Sequence, residues 1–432
     1  MHKKFNCYIR CAFAAALMLF AGQGFAQEAT KLTVWMTDAR LGYKTWLEKY
    51  AAEYKKARPH VNVEIVQMGS NDAYLKWPAA AAAGNLPDIT WMVFGTSAWM
   101  DEMKGGGFAP MDDVIERLGK DRFVPHALES WRYKGQVLCA PVARTPSYLI
   151  YRKDLFEAAG LAEPKTWSDV AEAARKLTNP AKGQYGIIMP GKTDFSPRFA
   201  YSVILYSNGG EVVNQKGEAA LDSPVAVEAL KIYGELFKYS PPGAISAGFA
   251  EIQRALAQGS VAMVITNPAA MTQFLRANPG KAGMLGAVIP SNAGLTDTIQ
   301  NQRGWCVFKS SKNQEEAKKF IEFLFKTESF TDYLSAAAIS SFPVYRDDKA
   351  LSLFLEGNET ARAFPDAVRH IMSLDRGTMP GVDRIGQNPK AGMILTNGLI
   401  ERHINRYLAK KGDANTTAQE MNAELKELLK RQ

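Results

Sequence analysis

Cysteine is scarce in this sequence. Only four cysteines occur in 432 residues, and Cys7 and Cys11 lie within the first 26 residues. This count excludes a small scaffold built on several disulfides. The other two, Cys139 and Cys306, lie in the apolar, strand-like runs VLCAPV and GWCVF. We expect two buried free thiols there, although an exported compartment would also permit one disulfide between them.

Catalytic and metal-binding motifs are missing as well. His60, His126, His370 and His403 are isolated from one another, and neither G-x-S-x-G nor H-E-x-x-H occurs. There is no adjacent tyrosine pair and no Cys/His cluster of the kind that a metal carrier uses. We therefore expect no enzyme activity, no metal and no cofactor. A secreted carbohydrate-active enzyme stays open as an alternative, because a carboxylate pair needs only spatial proximity.

Long runs of one charge or of apolar residues are also absent. The formal net charge of +8 is spread over interspersed lysines and arginines, which argues against a nucleic-acid partner. No apolar run reaches the roughly 20 residues that a membrane-spanning helix needs. The N-terminus has Lys3, Lys4 and Arg10 around a short apolar core that ends in small residues near Ala26. This pattern predicts a cleaved signal peptide over residues 1–26 and export to the periplasm.

What the sequence does contain is a regular alternation of strand and helix patterns. Residues 31–36, 60–68 and 86–94 are β-rich, and amphipathic helical patterns separate them. The order predicts a doubly wound parallel sheet, in which ligands bind beyond the carboxyl ends of the strands. The polar loops at 37–40 and 69–72, with the loop that follows the third strand, are therefore predicted to line a ligand site.

One stretch connects this sheet to a second unit. GQVLCAPVARTPSYLIYRKDLFEAAGLAEPKTWSDV, at 135–170, holds two apolar strands joined by the polar pair Arg144–Thr145. We expect the backbone to cross there from one sheet into another, and to cross back at 266–268. The predicted division is a signal peptide at 1–26, a first lobe at 27–143, a second lobe at 144–266, the first lobe again at 267–330, and mainly the second lobe, with hinge-covering helices, at 331–432.

The segment at 148–167, with its YRKDLFEAAGL and PKTW, resembles the hinge region of family 1 extracellular solute-binding proteins of ABC importers, the group with the maltose- and glycerol-phosphate-binding proteins. Further segments follow the family's order across the chain, namely LTVWMT, GNLPDI, GFAPMDDV, SNGGEVVN, LDSPVAVEAL, GSVAMVITN and SKNQEEAKKFIEFL. The resemblance implies an α/β, two-lobed venus-flytrap fold of class II, each lobe a mixed sheet flanked by helices. It implies a monomer that binds a sugar, oligosaccharide or polyol and delivers it to the transmembrane subunits of a permease. A sensor that presents its ligand to a receptor would use the same binding chemistry.

Candidate ligand residues come from the polar loops and from the resemblance. Carbohydrates need flat apolar faces and planar polar side chains in a shielded site. Asp38 is a ligand acceptor or a helix cap, Thr96 a ligand contact or a packing residue, and Trp305 a stacking platform or a core residue. The full set of predicted ligand residues is Asp38, Asn71, Phe94, Thr96, Arg144, Thr145, Asp194, Phe195, Arg198, Asn267, Arg303, Trp305, Arg384 and Gln387.

Three of these candidates, Arg144, Arg303 and Arg384, are arginines that would converge on the cleft. Guanidinium groups bind carboxylates and phosphates as well as neighbouring hydroxyls. An anionic ligand, such as a uronate oligosaccharide or a glycerophosphate compound, is therefore the alternative to a neutral one.

Overall fold

The computed structural model describes residues 29–93, 96–337, 341–366, 368–369 and 386–431. The predicted signal peptide, Phe94 and Arg384 lie outside these residues. The described strands are β1 (Thr30–Met36), β2 (Val61–Gln67), β3 (Ile89–Val93), β4 (Arg132–Tyr133), β5 (Gln136–Val137), β6 (Ala140–Pro146), β7 (Tyr148–Arg152), β8 (Tyr185–Ile188), β9 (Val261–Thr266), β10 (Leu285–Val288), β11 (Gln300–Val307) and β12 (Phe342–Pro343).

The helices alternate with these strands and then continue to the C-terminal end. In chain order they are α1 (Leu41–Ala57), α2 (Ser70–Ala83), α3 (Ser97–Glu102), α4 (Asp112–Leu118), α5 (Pro125–Glu129), α6 (Lys153–Ala158), α7 (Trp167–Leu177), α8 (Phe195–Ser207), α9 (Pro224–Phe237), α10 (Phe249–Gln258), α11 (Ala269–Ala277), α12 (Gln314–Leu324), α13 (Thr327–Ala337), α14 (Asp348–Gly357), α15 (Glu359–Ala363), α16 (Ala391–Asn397), α17 (Leu399–Leu408) and α18 (Ala414–Lys430). None of the helices within the described ranges is long and apolar enough to cross a membrane.

The first sheet has the strand order β12-β6-β11-β3-β1-β2. β1 pairs in parallel with β2 and β3, as the alternation of the sequence predicts, and β11 is inserted antiparallel between β3 and β6. β6 therefore runs in the same direction as β1, β2 and β3. The carboxyl ends of all four strands meet at one edge, which is where the chain leaves the sheet.

An aromatic cluster on one face of the first sheet forms much of this lobe's core. Trp91 and Trp305 have ring centroids 5.9 Å apart, and Trp46 from α1 lies 6.2 Å from Trp305. Tyr333 from α13 packs on Trp46 and Trp91. α13 packs on α1, α14 packs on α13 and β12 closes the edge of this sheet, so these three elements belong to the first lobe. The prediction that the chain after 330 lies mainly in the second lobe is wrong for this part.

The second sheet has the order β10-β7-β9-β8, with β7 antiparallel to both of its neighbours. α7 begins at the predicted capping box, in which Thr166 Oγ1 accepts from Asp169 N and the Asp169 carboxylate accepts from Thr166 N. α17 and α18 pack on α8 and α9 of this unit, so the C-terminal helices belong to the second lobe.

Two crossings connect the sheets side by side. β6 continues into β7 across Ser147, and Ser147 N donates to Ile299 O at 3.0 Å in the returning segment. The sequence predicts a crossing in this stretch, but the pair Arg144–Thr145 lies inside β6 and does not form the crossing itself. The predicted return at 266–268 is wrong, because β10 still pairs with β7 in the second sheet. Asn267 Oδ1 accepts from Ala269 N and turns the chain into α11 instead. The return lies between β10 and β11.

Cys139 and Cys306 form a disulfide, so the expected pair of free thiols is wrong. The register of the sheet explains the bond, because β6 and β11 are neighbours and Ala140 lies opposite Trp305. The cysteines just beyond this pair face each other with their Cα atoms 4.3 Å apart.

Candidate ligand site between the lobes

The candidate site begins where β1 ends, at the carboxyl edge of the first sheet. The Asp38 carboxylate receives Arg40 Nε at 2.8 Å and Arg40 Nη2 at 2.6 Å, and Arg303 Nη2 lies 4.0 Å away. Burial by itself would raise the pKa of Asp38, but the hydrogen bonds and charges of Arg40 and Arg303 outweigh it and lower that pKa. Asp38 is therefore ionised. The N-cap of α1 is Arg40, so the alternative role of Asp38 as that helix cap is wrong.

Arg303 stands at the centre of this site on β11. Its guanidinium donates to Thr145 Oγ1 on β6 and lies 5.9 Å from the centroid of the Trp91 ring. The side chain is only 6% exposed. The structure thus brings Asp38, Thr145 and Arg303, three of the predicted ligand residues, into one polar group at the crossing.

The polar half of β11 adds a residue that was not predicted. Gln300, Asn301, Gln302 and Arg303 are all buried, although each carries a polar side chain. Asn301 pairs with Thr145 in the strand register and so shares its face, and Asn301 Oδ1 has no hydrogen-bond partner among the described residues. An unsatisfied buried polar group costs roughly 1–3 kcal/mol. The signal was present in the sequence as QNQR, a polar run at the start of a strand that continues as GWCV.

Arg144 does not join this group. Successive side chains of a strand point to opposite faces, so Arg144 and Thr145 point apart. Arg144 lines a separate cavity of about 230 Å³, together with Phe342, Tyr345 and Asp347. The predicted convergence of Arg144 and Arg303 on one ligand is therefore wrong.

Two other candidates, Thr96 and Gln387, have structural partners in the first lobe. Thr96 is fully buried and its hydroxyl lies 2.5 Å from Tyr74 Oη. Gln387 Oε1 accepts from Ala98 N at 3.0 Å, and its amide donates to Ser130 O. Asn71 is the second residue of α2.

Trp305 is 1% exposed and packs between Trp46 and Trp91. Its predicted role as a stacking platform is wrong, and the core alternative holds. Asp88 has a structural role, since it accepts from Thr33 N at 2.7 Å and from Ser311 Oγ at 2.5 Å.

The second-lobe candidates begin at the N-terminal end of α8. Asp194 caps this helix through Ser196 N at 2.9 Å. Phe195 is half-buried, and the Arg198 guanidinium lies 4.5 Å from its ring centroid. Asn267 Oδ1 accepts from Ala269 N, the first residue of α11. Phe195 is therefore the aromatic ring among these candidates that keeps an exposed face.

Arg198 is an interior residue rather than a direct ligand contact. It is 0% exposed, and its Nη2 lies 2.7 Å from Glu401 Oε1 on α17. Burial raises the pKa of the Glu401 carboxyl, and the charge of Arg198 opposes that change. The prediction that Arg198 binds ligand is wrong, because no part of its side chain reaches solvent.

The described ranges contain no group of three or more His, Cys, Asp or Glu side chains arranged to hold a metal ion. The candidate residues supply hydrogen-bond donors, acceptors and the ring of Phe195. Such a set can bind hydroxyl groups and the flat face of a sugar.

Comparison with known proteins finds relatives in both sequence and fold. A family model described as "Bacterial extracellular solute-binding protein" covers residues 40–329. A putative ABC transporter periplasmic-binding protein of Escherichia coli, YcjN, is 24% identical over 396 residues, 89% of each chain. Solved solute-binding proteins from Agrobacterium radiobacter, in complex with ribitol, and Thermotoga lettingae, with α-D-tagatose, both reach a TM-score of 0.75. The Agrobacterium protein is 24% identical, and the match covers 93% of this chain and 99% of its own. The Thermotoga protein is 22% identical, and the match covers 93% of this chain and 100% of its own. The chain belongs to the family of bacterial extracellular solute-binding proteins, which serve as the binding components of ABC importers.

Proposed function

We propose that this protein captures a neutral polyol or sugar between its lobes and delivers it to an ABC permease. The carrying observation is the polar group of Asp38, Thr145, Asn301 and Arg303 at the crossing, which offers one carboxylate, one guanidinium and an unsatisfied amide oxygen. A "Mannitol-binding protein" of Pseudomonas aeruginosa, 31% identical over 163 residues that cover 37% of this chain and 36% of its own, supports the ligand class.

A ligand held between two lobes contacts both of them only when the lobes are closed. It therefore shifts the population toward the closed state by the difference in its affinity for the two states. In this proposal Phe195 supplies the stacking face from the second lobe, and Asp38 and Arg303 orient the hydroxyls from the first. The protein acts as an exported monomer in the periplasm and performs no catalysis.

The charges favour a neutral ligand over an anionic one. Arg40 uses both of its paired donors on Asp38, and Arg198 pairs with Glu401. Arg144 lies on the other side of β6. Among the arginines that the structure describes, this leaves the guanidinium of Arg303 as the main cationic group for the ligand, and that group also suits neighbouring hydroxyls.

A ligand panel tests the proposal. Ribitol, D-tagatose, mannitol and maltose should be compared with glucuronate and glycerol 3-phosphate by thermal shift and calorimetric titration. We expect a neutral member to raise the melting temperature in proportion to the logarithm of its concentration. Binding of the anionic members alone would reject the neutral class, and no binding by any member would reject the proposal.

Two arginine variants locate the site. Arg303→Met removes a charge-assisted donor worth roughly 1.5–3 kcal/mol, so we expect the Kd of the bound sugar or polyol to rise about 10- to 150-fold. Arg117→Met is the matched control, because Arg117 lies in α4 of the same lobe and pairs with Glu322. Equal losses in both variants would contradict the assignment of the site.

A further inference from the structure

α16 and the residues just before it form a third connection between the lobes. α16 packs against α2 and α3 of the first lobe and against α18 of the second. It ends at Gly398, whose φ of 70° allows the chain to turn directly into α17. A helix of seven residues has little stability of its own, so its placement depends on these tertiary contacts.

The first-lobe end of this connection is held tightly. Gln387 accepts from Ala98 N and donates to Ser130 O. Gly392 lies directly against the ring of Trp99, and a Cβ at this glycine would lie 2.0 Å from Trp99 Cδ2. Only glycine permits this close approach, so Gly392 fixes the packing of α16 on α3 of the first lobe.

The second-lobe end is held by Arg198. The last carbonyls of a helix have no partner within the helix. Arg198 Nη1 donates to two of them, Ile394 O at 3.4 Å and Leu395 O at 3.1 Å, while Nη2 pairs with Glu401 at 2.7 Å. One buried guanidinium therefore connects the end of α16 to both α8 and α17.

The same guanidinium also packs on Phe195, the half-buried ring that the proposed function assigns to the ligand. It lies 4.5 Å from the Phe195 ring, three residues earlier on α8. The charge of Arg198 also acts on Tyr74 of the first lobe, where it opposes the rise in pKa that burial causes. Arg198 thus contacts both the Phe195 ring and the third connection.

We propose that Arg198 is a positioning residue that couples contact at Phe195 to the placement of α16, and through α16 to the separation of the lobes. This inference rests on the proposed function, because it assumes that a ligand touches Phe195. The fork of an arginine is needed for it, since only such a fork satisfies carbonyls and a carboxylate together.

Buried ion pairs are often replaceable by apolar residues with little loss of stability. The double variant Arg198→Met/Glu401→Leu should therefore fold, yet it lacks the donors to Ile394 and Leu395. Arg198→Lys is the second variant, because it keeps the charge but loses the fork. Arg152→Met is the matched control, since Arg152 is a half-buried arginine of the second lobe that pairs with Asp154 at 2.6 Å.

The readout is the lobe separation, measured by pulsed electron spin resonance between labels on Lys56→Cys and Lys231→Cys. Both sites are exposed, one on each lobe. In the free protein we expect longer and broader distances for the double variant and an intermediate change for Arg198→Lys, with the control unchanged. Wild-type distances in both Arg198 variants, at any melting temperature, would overturn the inference.

Titration of the same labelled proteins with ribitol separates the two proposals. If ribitol closes the wild-type protein, its apparent affinity should fall in the Arg198 variants by the factor by which the closed population falls. An equal affinity in wild type and variants would overturn the coupling. If ribitol, D-tagatose, mannitol and maltose all leave the wild-type distances unchanged, the proposed function fails, and the free-protein distances still decide the role of Arg198 in placing the lobes.

Discussion

Removal of the disulfide by Cys139→Ala/Cys306→Ala should lower the stability of the protein strongly while leaving ligand affinity intact. The bond closes a loop in which the cysteines are 167 residues apart. This loop contains the whole excursion of the chain through the second sheet, from β6 to β11. Alanine is chosen because both positions are fully buried, and a serine hydroxyl would add a desolvation cost.

The expected magnitude follows from the length of the loop. In the chain-entropy model, the cross-link reduces the entropy of the unfolded chain by an amount that grows with the logarithm of loop length. For this loop the model yields about 17 cal/mol/K, or about 5 kcal/mol at 25 °C. With an unfolding entropy of about 2.1 cal/mol/K per residue over roughly 400 residues, the melting temperature should fall by about 6 °C.

The assay is denaturant unfolding of wild type and double variant, each with and without a reductant. The wild type unfolded in reductant should approach the double variant, and the double variant should not respond to the reductant. The difference that remains between these two reports the lost packing of the sulfur atoms. Calorimetric titration with the bound sugar or polyol measures the affinity of both proteins.

A loss below about 1 kcal/mol would refute the argument from loop closure, since it would mean that the unfolded chain gains little freedom without the bond. A large loss of ligand affinity would refute the second part. The disulfide lies beyond Ala140, at the end of β6 away from Thr145, and should not affect the ligand groups.

Three further outcomes are expected. Because the pKa of Asp38 is lowered, its carboxylate stays ionised above the ordinary pKa of 3.8 and is protonated only as the pH falls through the lowered pKa. Ligand affinity, measured by calorimetry, should therefore be constant above about pH 5. A loss of affinity between about pH 7 and 5 would contradict the pairing with Arg40. Thr166→Ala removes the cap of α7 and should cost about 1 kcal/mol in denaturant unfolding, and no change would contradict the capping box. Gly186→Ala would place a Cβ 2.1 Å from Ala174 O, so we expect a loss of about 1–3 kcal/mol, and full stability would show that α7 moves freely against β8.

The predicted elements agree with the structure where the signal is local. Lys31–Met36 alternates between buried and partly exposed residues and is a strand, and Thr166 and Asp169 form the predicted box. The first crossing is also local, because β6 and β7 are consecutive apolar runs of the sequence with only Ser147 between them. Asp38 and Thr145 were found for the same reason, as polar residues at the ends of strands.

The errors concern pairing between distant segments. Residues 266–268 look like a crossing, since a strand ends there in Thr-Asn-Pro. Whether the next strand joins the old sheet or the new one depends on contacts with β7, more than 100 residues earlier in the chain. The disulfide depends in the same way on the register of β6 against β11. The burial of Arg198 depends on Glu401, which comes from the far end of the sequence.

Local patterns were enough to predict the main strands and helices, the first crossing and the polar residues at the strand ends, because hydrophobic periodicity and capping act over a few neighbouring residues. Long-range contacts decide where the chain returns to the first sheet and that Cys139 and Cys306 are bonded. They also bury Arg198 against Glu401 and bring Arg303 close to Asp38. The physical reason is that burial and pairing are set by the free energy of contacts between segments far apart in the chain, and no local pattern records which of the possible partners will be met.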